Sequence, residues 1–310
     1  MKKLICLILI AFSAIIAAAL MHTVFSENEQ YSVQPSESIT LYRVKEGKML
    51  TMPYKELVLG CMFAELLPSY ADEALKAAAC VINSRCLYLL QNGERINGAD
   101  ISDKQCPWMT PEEAETEYGR SYSSYLKKLS AAAEYGMRHA LYYEQQLICP
   151  AMCLCSTGRT DNGGVPYHSP KTLAADETSS ELLSTSAYSA DNIRRTLTGI
   201  TGVSSLSARP SEWFSGAIYT DGGTLSEIRF GGARLTGAQL RDTFELRSAA
   251  ITIEYTEERF VFTVRGCGDN LGMSLSSAAE MAGSGMTAEE ILEYFYSPAE
   301  IRMLRTKPQK

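Results

Sequence analysis

The chain has 310 residues, 45% of them hydrophobic and 21% charged, with a formal net charge of -7. That length supplies one large domain or two ordinary ones, and the apolar share excludes wholesale disorder. The acidic balance argues against a nucleic-acid partner, the three histidines (His22, His139, His168) against a histidine-rich metal enzyme, and nine cysteines are too few for a disulfide scaffold.

Lys2 and Lys3 precede an uncharged apolar run over residues 4–21. The run reaches the lower edge of a bilayer span, about 18 residues, and reads as a single-pass signal anchor. Ala17–Ala19 also leave a cleaved, exported form open. Either way the remainder is expected on the extracytoplasmic side of the cell membrane. Residues 22–48 read as a polar linker with one short strand near 39–44. Thr51 as N-cap, with Pro53 in the first turn, predicts a helix to residue 67. Ser69 and Asp72 resemble a capping box opening a second helix, whose apolar stripe (Leu75, Ala79, Ile82, Cys86, Leu89) stops at Asn92-Gly93. Residues 94–110 read as a loop and 111–138 as a helix.

Beyond that point the pattern changes. Segments 217–220 and 225–230 alternate like strands across the turn Asp221-Gly222-Gly223, and 250–255 with 260–265 form a second pair. A helix follows Ser274, and Thr287 with Glu290 caps another. The Ser/Thr-rich stretch 179–189 reads as a surface loop. The expected fold class is α+β, with helices, then antiparallel strands, then helices, in one domain over residues 49–305.

Glu65 is the first candidate for chemistry. A carboxylate in the apolar stretch 57–67 is desolvated, which raises its pKa and suits a general acid; the plainer reading is a surface glutamate. Cys149, Cys153 and Cys155 would share one face of a strand over 148–154, with His168 as a fourth metal ligand. Their spacing is not the usual zinc knuckle, and buried small residues or a disulfide fit equally well. Gly266 and Gly268 lack the strand-to-helix context of a dinucleotide site.

Two blocks carry a resemblance. VLGCMFAELLPSYADEALKAAACVINSR (58–85), and the stretch from IRFGGARLTG to EEILEYFY (228–296), are similar in order and spacing to the stage II sporulation protein D family. The likeness runs over roughly residues 50–302 and implies a peptidoglycan lytic transglycosylase that cleaves between N-acetylmuramic acid and N-acetylglucosamine and leaves an anhydro-sugar end. It needs no cofactor. The family's catalytic glutamate, in its AEMP motif, falls on Glu65.

The departures are as specific. The arginine of the family's AARTY falls on Asn83, with Arg85 two positions later on another helix face; a histidine falls on Cys155; GHG becomes Gly268-Asp269-Asn270; and Leu275 follows Ser274 where the family has glutamine. The resemblance therefore implies a glycan cleft lined by Asn83, Cys155, Arg247, Asp269 and Ser274. In clostridial relatives a loop carries zinc. Here Ser102 and Gln105 stand at two of its ligand positions and only Cys106 remains, so no metal is expected there. Two readings stay open: a divergent enzyme working through Glu65 on glycan strands, or a degenerate glycan-binding scaffold or modulator beside a membrane-anchored cell-wall amidase.

Overall fold

A computed structural model describes residues 38–304 except Pro68 and Ser204. The expected anchor at 1–21 lies outside them. Among the described residues no helix is long and apolar enough to cross a membrane. The chain is mixed α+β as expected, and it is built around two large hydrophobic cores, with a small third cluster at Leu87, Ala140, Tyr142 and Leu147.

The first core opens with β1 (Ile39–Arg43) and β2 (Lys48–Met52), an antiparallel pair within and beside the segment read as a linker. Thr51 is not the helix cap: it pairs with Thr40 in that ladder, and α1 (Tyr54–Glu65) starts after Pro53. The backbone turns extended at Leu66, ending α1 at Glu65. Helix α2 (Asp72–Asn92) starts after Ala71, without the Ser69 cap; Asp72 and Glu73 in its first turn complement the helix dipole instead. Strand β3 (Ile101–Ser102) adds to β1 in parallel.

The helix expected over 111–138 is broken in two, α3 (Pro111–Tyr118) and α4 (Tyr122–Gly136), where Gly119 takes a positive φ of 50°. The close approach of α4 to α2 depends on Gly136: a Cβ there would lie 2.5 Å from the Ala79 carbonyl carbon. Strands β4 (His139–Tyr143) and β5 (Gln146–Leu147) follow. α2 is the hub, buried along most of its length against α1, α4 and the C-terminal helices α8 (Leu275–Gly283) and α9 (Ala288–Tyr296). Ser274 and Thr287 cap those two helices as expected; Thr287 and Glu290 complete the capping box.

The second core belongs to residues 183–265, inserted between the seam segments of the first. The stretch read as a loop over 179–189 is largely a strand, β7 (Leu183–Ser189), which pairs in register with β12 (Arg259–Arg265). Its serines and threonines alternate between exposed and half-buried positions on an outer strand, so no apolar alternation marks it. After the short helix α5 (Ala174–Glu177), which precedes β7, helix α6 (Ala190–Thr201), strands β8 (Phe214–Tyr219), β9 (Leu225–Phe230) and β10 (Ala233–Leu235), helix α7 (Gly237–Phe244) and strand β11 (Ala250–Thr256) complete this lobe. Trp213, Phe230, Phe260 and Phe262 fill its core.

Between the cores lies a seam. Strand β6 (Met152–Cys153) pairs in parallel with β13 (Met273–Ser274), and the Cys155 backbone pairs antiparallel with that of Cys267, both thiols being free.

Candidate functional site

Helix α1 ends on Glu65 because Leu57, Val58, Cys61 and Met62 hold its other turns in the core. The carboxylate meets Arg85 of α2 in an ion pair whose side chains are only 14% and 12% exposed. Arg85 is the one charged residue of α2 after Lys76. The face on which the sequence sets it, away from Asn83, is the face turned to Glu65. Burial pushes the Glu65 carboxyl up; Arg85 pulls it partly back, and burial wins, leaving it above the usual carboxylate range. Burial also works against the Arg85 cation, but the charges of Glu65 and Cys106 hold it protonated.

The residues immediately after Glu65 form one wall of a groove of about 430 Å³. Ser69 and Tyr70 face Thr178, Ser179, Glu181 and Ser276 across it, a lining rich in hydroxyls. The Tyr70 hydroxyl is buried with no hydrogen-bond partner among the described residues. Arg247 reaches this groove through an ion pair with Glu181.

The other expected site residues are elsewhere. Asn83 is fully buried; its amide oxygen accepts from the Tyr54 hydroxyl (2.7 Å) and its nitrogen donates to the His139 carbonyl (3.0 Å), so it fastens α1, α2 and β4 together and is not offered to a ligand. Cys155 is buried in the seam. Ser274 is buried as the cap of α8 and donates to Asp176 (2.9 Å). Asp269 is exposed and paired with Arg241, outside the groove lining.

No family model matches the chain. Stage II sporulation protein D of Bacillus subtilis (strain 168) is 25% identical over 276 residues, covering 85% of this chain and 78% of that protein. The protein of the same name from Bacillus amyloliquefaciens is 24% identical over 279 residues, with the same coverage. The chain is similar to both proteins over most of its length, which supports a divergent likeness to stage II sporulation protein D.

The residue the sequence undervalues next to Asp269 is Asn270. It sits at φ +58° and is 3% exposed. Its amide nitrogen donates to the Arg159 carbonyl (3.1 Å), Asp161 Oδ2 (3.1 Å) and the Gly222 carbonyl (3.2 Å), and its oxygen accepts from the Thr157 N–H (3.1 Å). Asp176 is the second hub: fully buried, it accepts from the Ser156 N–H and from the Ser274 and Ser277 hydroxyls. Arg85 had a readable signal, a lone cation in an apolar helix; Asn270 and Asp176 had none.

The loop over residues 102–106, where no metal is expected, closes on itself. The Gln105 side-chain oxygen accepts from the Ser102 N–H (2.9 Å) and hydroxyl (3.0 Å), so neither side chain supplies a ligand for a soft metal. The strand expected over 148–154 shrinks to β6, and Cys149, Cys153 and Cys155 do not converge. His168 accepts from the Ala151 N–H at Nε2 (3.0 Å), and burial holds it below the usual imidazole range.

Proposed function

We propose that the chain is a peptidoglycan lytic transglycosylase acting in sporulation, anchored in the membrane with residues 38–304 outside the cytoplasm, and that Glu65 performs both proton transfers. The observation that carries this reading is the buried Glu65–Arg85 pair at the end of α1, two residues before Leu67, where the lining of a hydroxyl-rich groove begins. A carboxyl whose proton affinity is raised by burial can, in its protonated form, donate to the glycosidic oxygen as the bond to C1 breaks. The carboxylate left behind is stabilised by Arg85. It then takes the proton of the C6 hydroxyl as that oxygen closes on C1, giving the anhydro-sugar end and returning Glu65 to its starting state. The Glu181–Arg247 pair, with Glu181 in the groove lining, is available to orient sugar hydroxyls. No metal or cofactor is needed for these steps.

The test is product analysis. The full chain incubated with glycan strands stripped of stem peptides is expected to release anhydro-muropeptides, and Glu65→Gln is expected to lower the rate by roughly a thousandfold or more. Equal product from both proteins overturns the assignment of Glu65. The second reading, a glycan-binding scaffold beside a cell-wall amidase, has one observation in its favour: Asp269 and Arg247 are each engaged in an ion pair. Binding of the same strands without product supports it.

A further inference from the structure

Cys61 of α1, Cys86 of α2 and Cys106 of the loop after β3 bring three thiols together, with all three Sγ atoms within 4.8 Å of one another. The Cys86 and Cys106 sulfurs are 3.9 Å apart, and no disulfide joins any of the three. Each of these side chains is fully buried. Two of them come from the helices that carry Glu65 and Arg85, so the cluster lies directly behind that pair. We propose that Cys61, Cys86 and Cys106 form a three-thiolate site for a soft d¹⁰ metal ion, pinning α1, α2 and the loop to one another.

The distances fit. A metal–sulfur bond of about 2.3 Å places three sulfurs about 4.0 Å apart in a trigonal plane and about 3.8 Å apart as three corners of a tetrahedron. The observed 3.9 Å already matches, and the remaining pairs, at most 4.8 Å apart, need to close by no more than about 1 Å. A disulfide needs sulfurs at about 2.05 Å, a larger movement of side chains held in a packed core. The donor set selects the ion. Three thiolates without a hard oxygen donor favour Cu(I), Zn(II) or Cd(II) over Mg(II) or Ca(II). Binding exchanges thiol protons for the metal, and the resulting negative site faces a cation already in place: Arg85, adjacent to Cys86 in sequence, whose buried Nε has no hydrogen-bond partner among the described residues. This ligand set differs from the zinc loop of clostridial relatives, since two of its three sulfurs come from helices.

The experiment uses the full chain, purified under reducing conditions, stripped with chelator and titrated with Cd(II), Zn(II) and Cu(I). Stoichiometric Cd(II) uptake with a thiolate-to-metal charge-transfer band is expected, together with a rise in Tm on loading. Cys86→Ser should weaken binding by about tenfold or more, while Cys153→Ser, which alters a buried thiol outside the cluster, should leave it unchanged. Where Cys86→Ser does not fold, the Tm of stripped and loaded wild-type chain decides by itself. Absence of uptake by the wild-type chain overturns the proposal. So does uptake that survives Cys86→Ser, or a Cys86–Cys106 disulfide found by mass spectrometry in the freshly purified protein. None of these outcomes bears on whether Glu65 cleaves glycan.

Discussion

Glu65 and Arg85 are each a solitary charge in an apolar stretch of helix, and each is tolerable there only because of the other. An unpaired buried charge costs several kcal/mol, whereas a hydrogen-bonded pair offsets most of that. The proposed chemistry needs the pair to be slightly unbalanced, with burial outweighing the guanidinium so that Glu65 starts protonated. This has a pH signature. The rate should fall as pH rises through the raised Glu65 value, because the proton donor is lost. Arg85→Gln removes the group that lowers that value, so the alkaline limb should move to higher pH while kcat drops by roughly ten- to a hundredfold, the stabiliser of the intermediate carboxylate being gone. Rate profiles on stripped glycan strands check it; an unmoved alkaline limb would leave Arg85 with a packing role only. Glu65 was legible from its motif and its apolar setting. Arg85 was visible as a lone cation, but its pairing with Glu65 was not, because the meeting of α1 with α2 depends on helix packing that no spacing along one helix reveals.

Secondary elements were most legible where local chemistry decides them. The capped starts of α8 and α9 and the strands β9, β11 and β12 lie within a residue or two of where their residues place them. Misplaced boundaries trace to tertiary competition, as at Thr51, drawn into the β1–β2 ladder. Two polar contacts at this scale have measurable consequences. Asp176 satisfies one N–H and two hydroxyls in a site without solvent, so Asp176→Ala strands all three donors and should destabilise the fold by about 3 kcal/mol in urea unfolding. Asp100 ties the loop before β3 to β1. Burial pushes its carboxyl up, but the Thr40 N–H (2.9 Å) and hydroxyl (2.7 Å) donate to Oδ2 and hold it below the ordinary aspartate value. A depressed carboxyl stabilises the fold at neutral pH and loses that contribution as pH falls through its folded value. Wild type should therefore be more stable than Asp100→Asn at neutral pH, and the gap should close below about pH 4. A gap constant with pH would show that the carboxylate charge is irrelevant there.

At the scale of the molecule the two cores and their seam are the feature least readable from sequence, since a chain with alternating strands after helices looks the same whether its apolar faces merge or separate. The glycines first considered for a nucleotide loop, Gly266 and Gly268, belong to the seam and take positive φ values of 73° and 111°; Gly272 follows at 65°, where a Cβ would fall 2.0 Å from the Ala151 carbonyl oxygen. Asn270, between Gly268 and Gly272, ties the segment after β12 to the 157–161 loop and to the turn between β8 and β9. Coupling between the lobes should therefore depend on this amide. Asn270→Gly isolates its contribution, because glycine keeps the left-handed backbone without strain and removes only the side chain. The chain holds two tryptophans, Trp108 packed against the first core and Trp213 within the second, so Trp→Phe variants at either position let fluorescence report one lobe at a time. With Asn270 in place the two probes should unfold at one urea midpoint. In the Asn270→Gly background the Trp213 signal should change at lower urea than the Trp108 signal, because a lobe inserted by two chain crossings loses about 2 kcal/mol of hydrogen bonding at its base while its neighbour keeps the larger core. Coincident midpoints in the variant would mean that the remaining seam contacts, β6 with β13 and Cys155 with Cys267, suffice to hold the two cores as one cooperative unit.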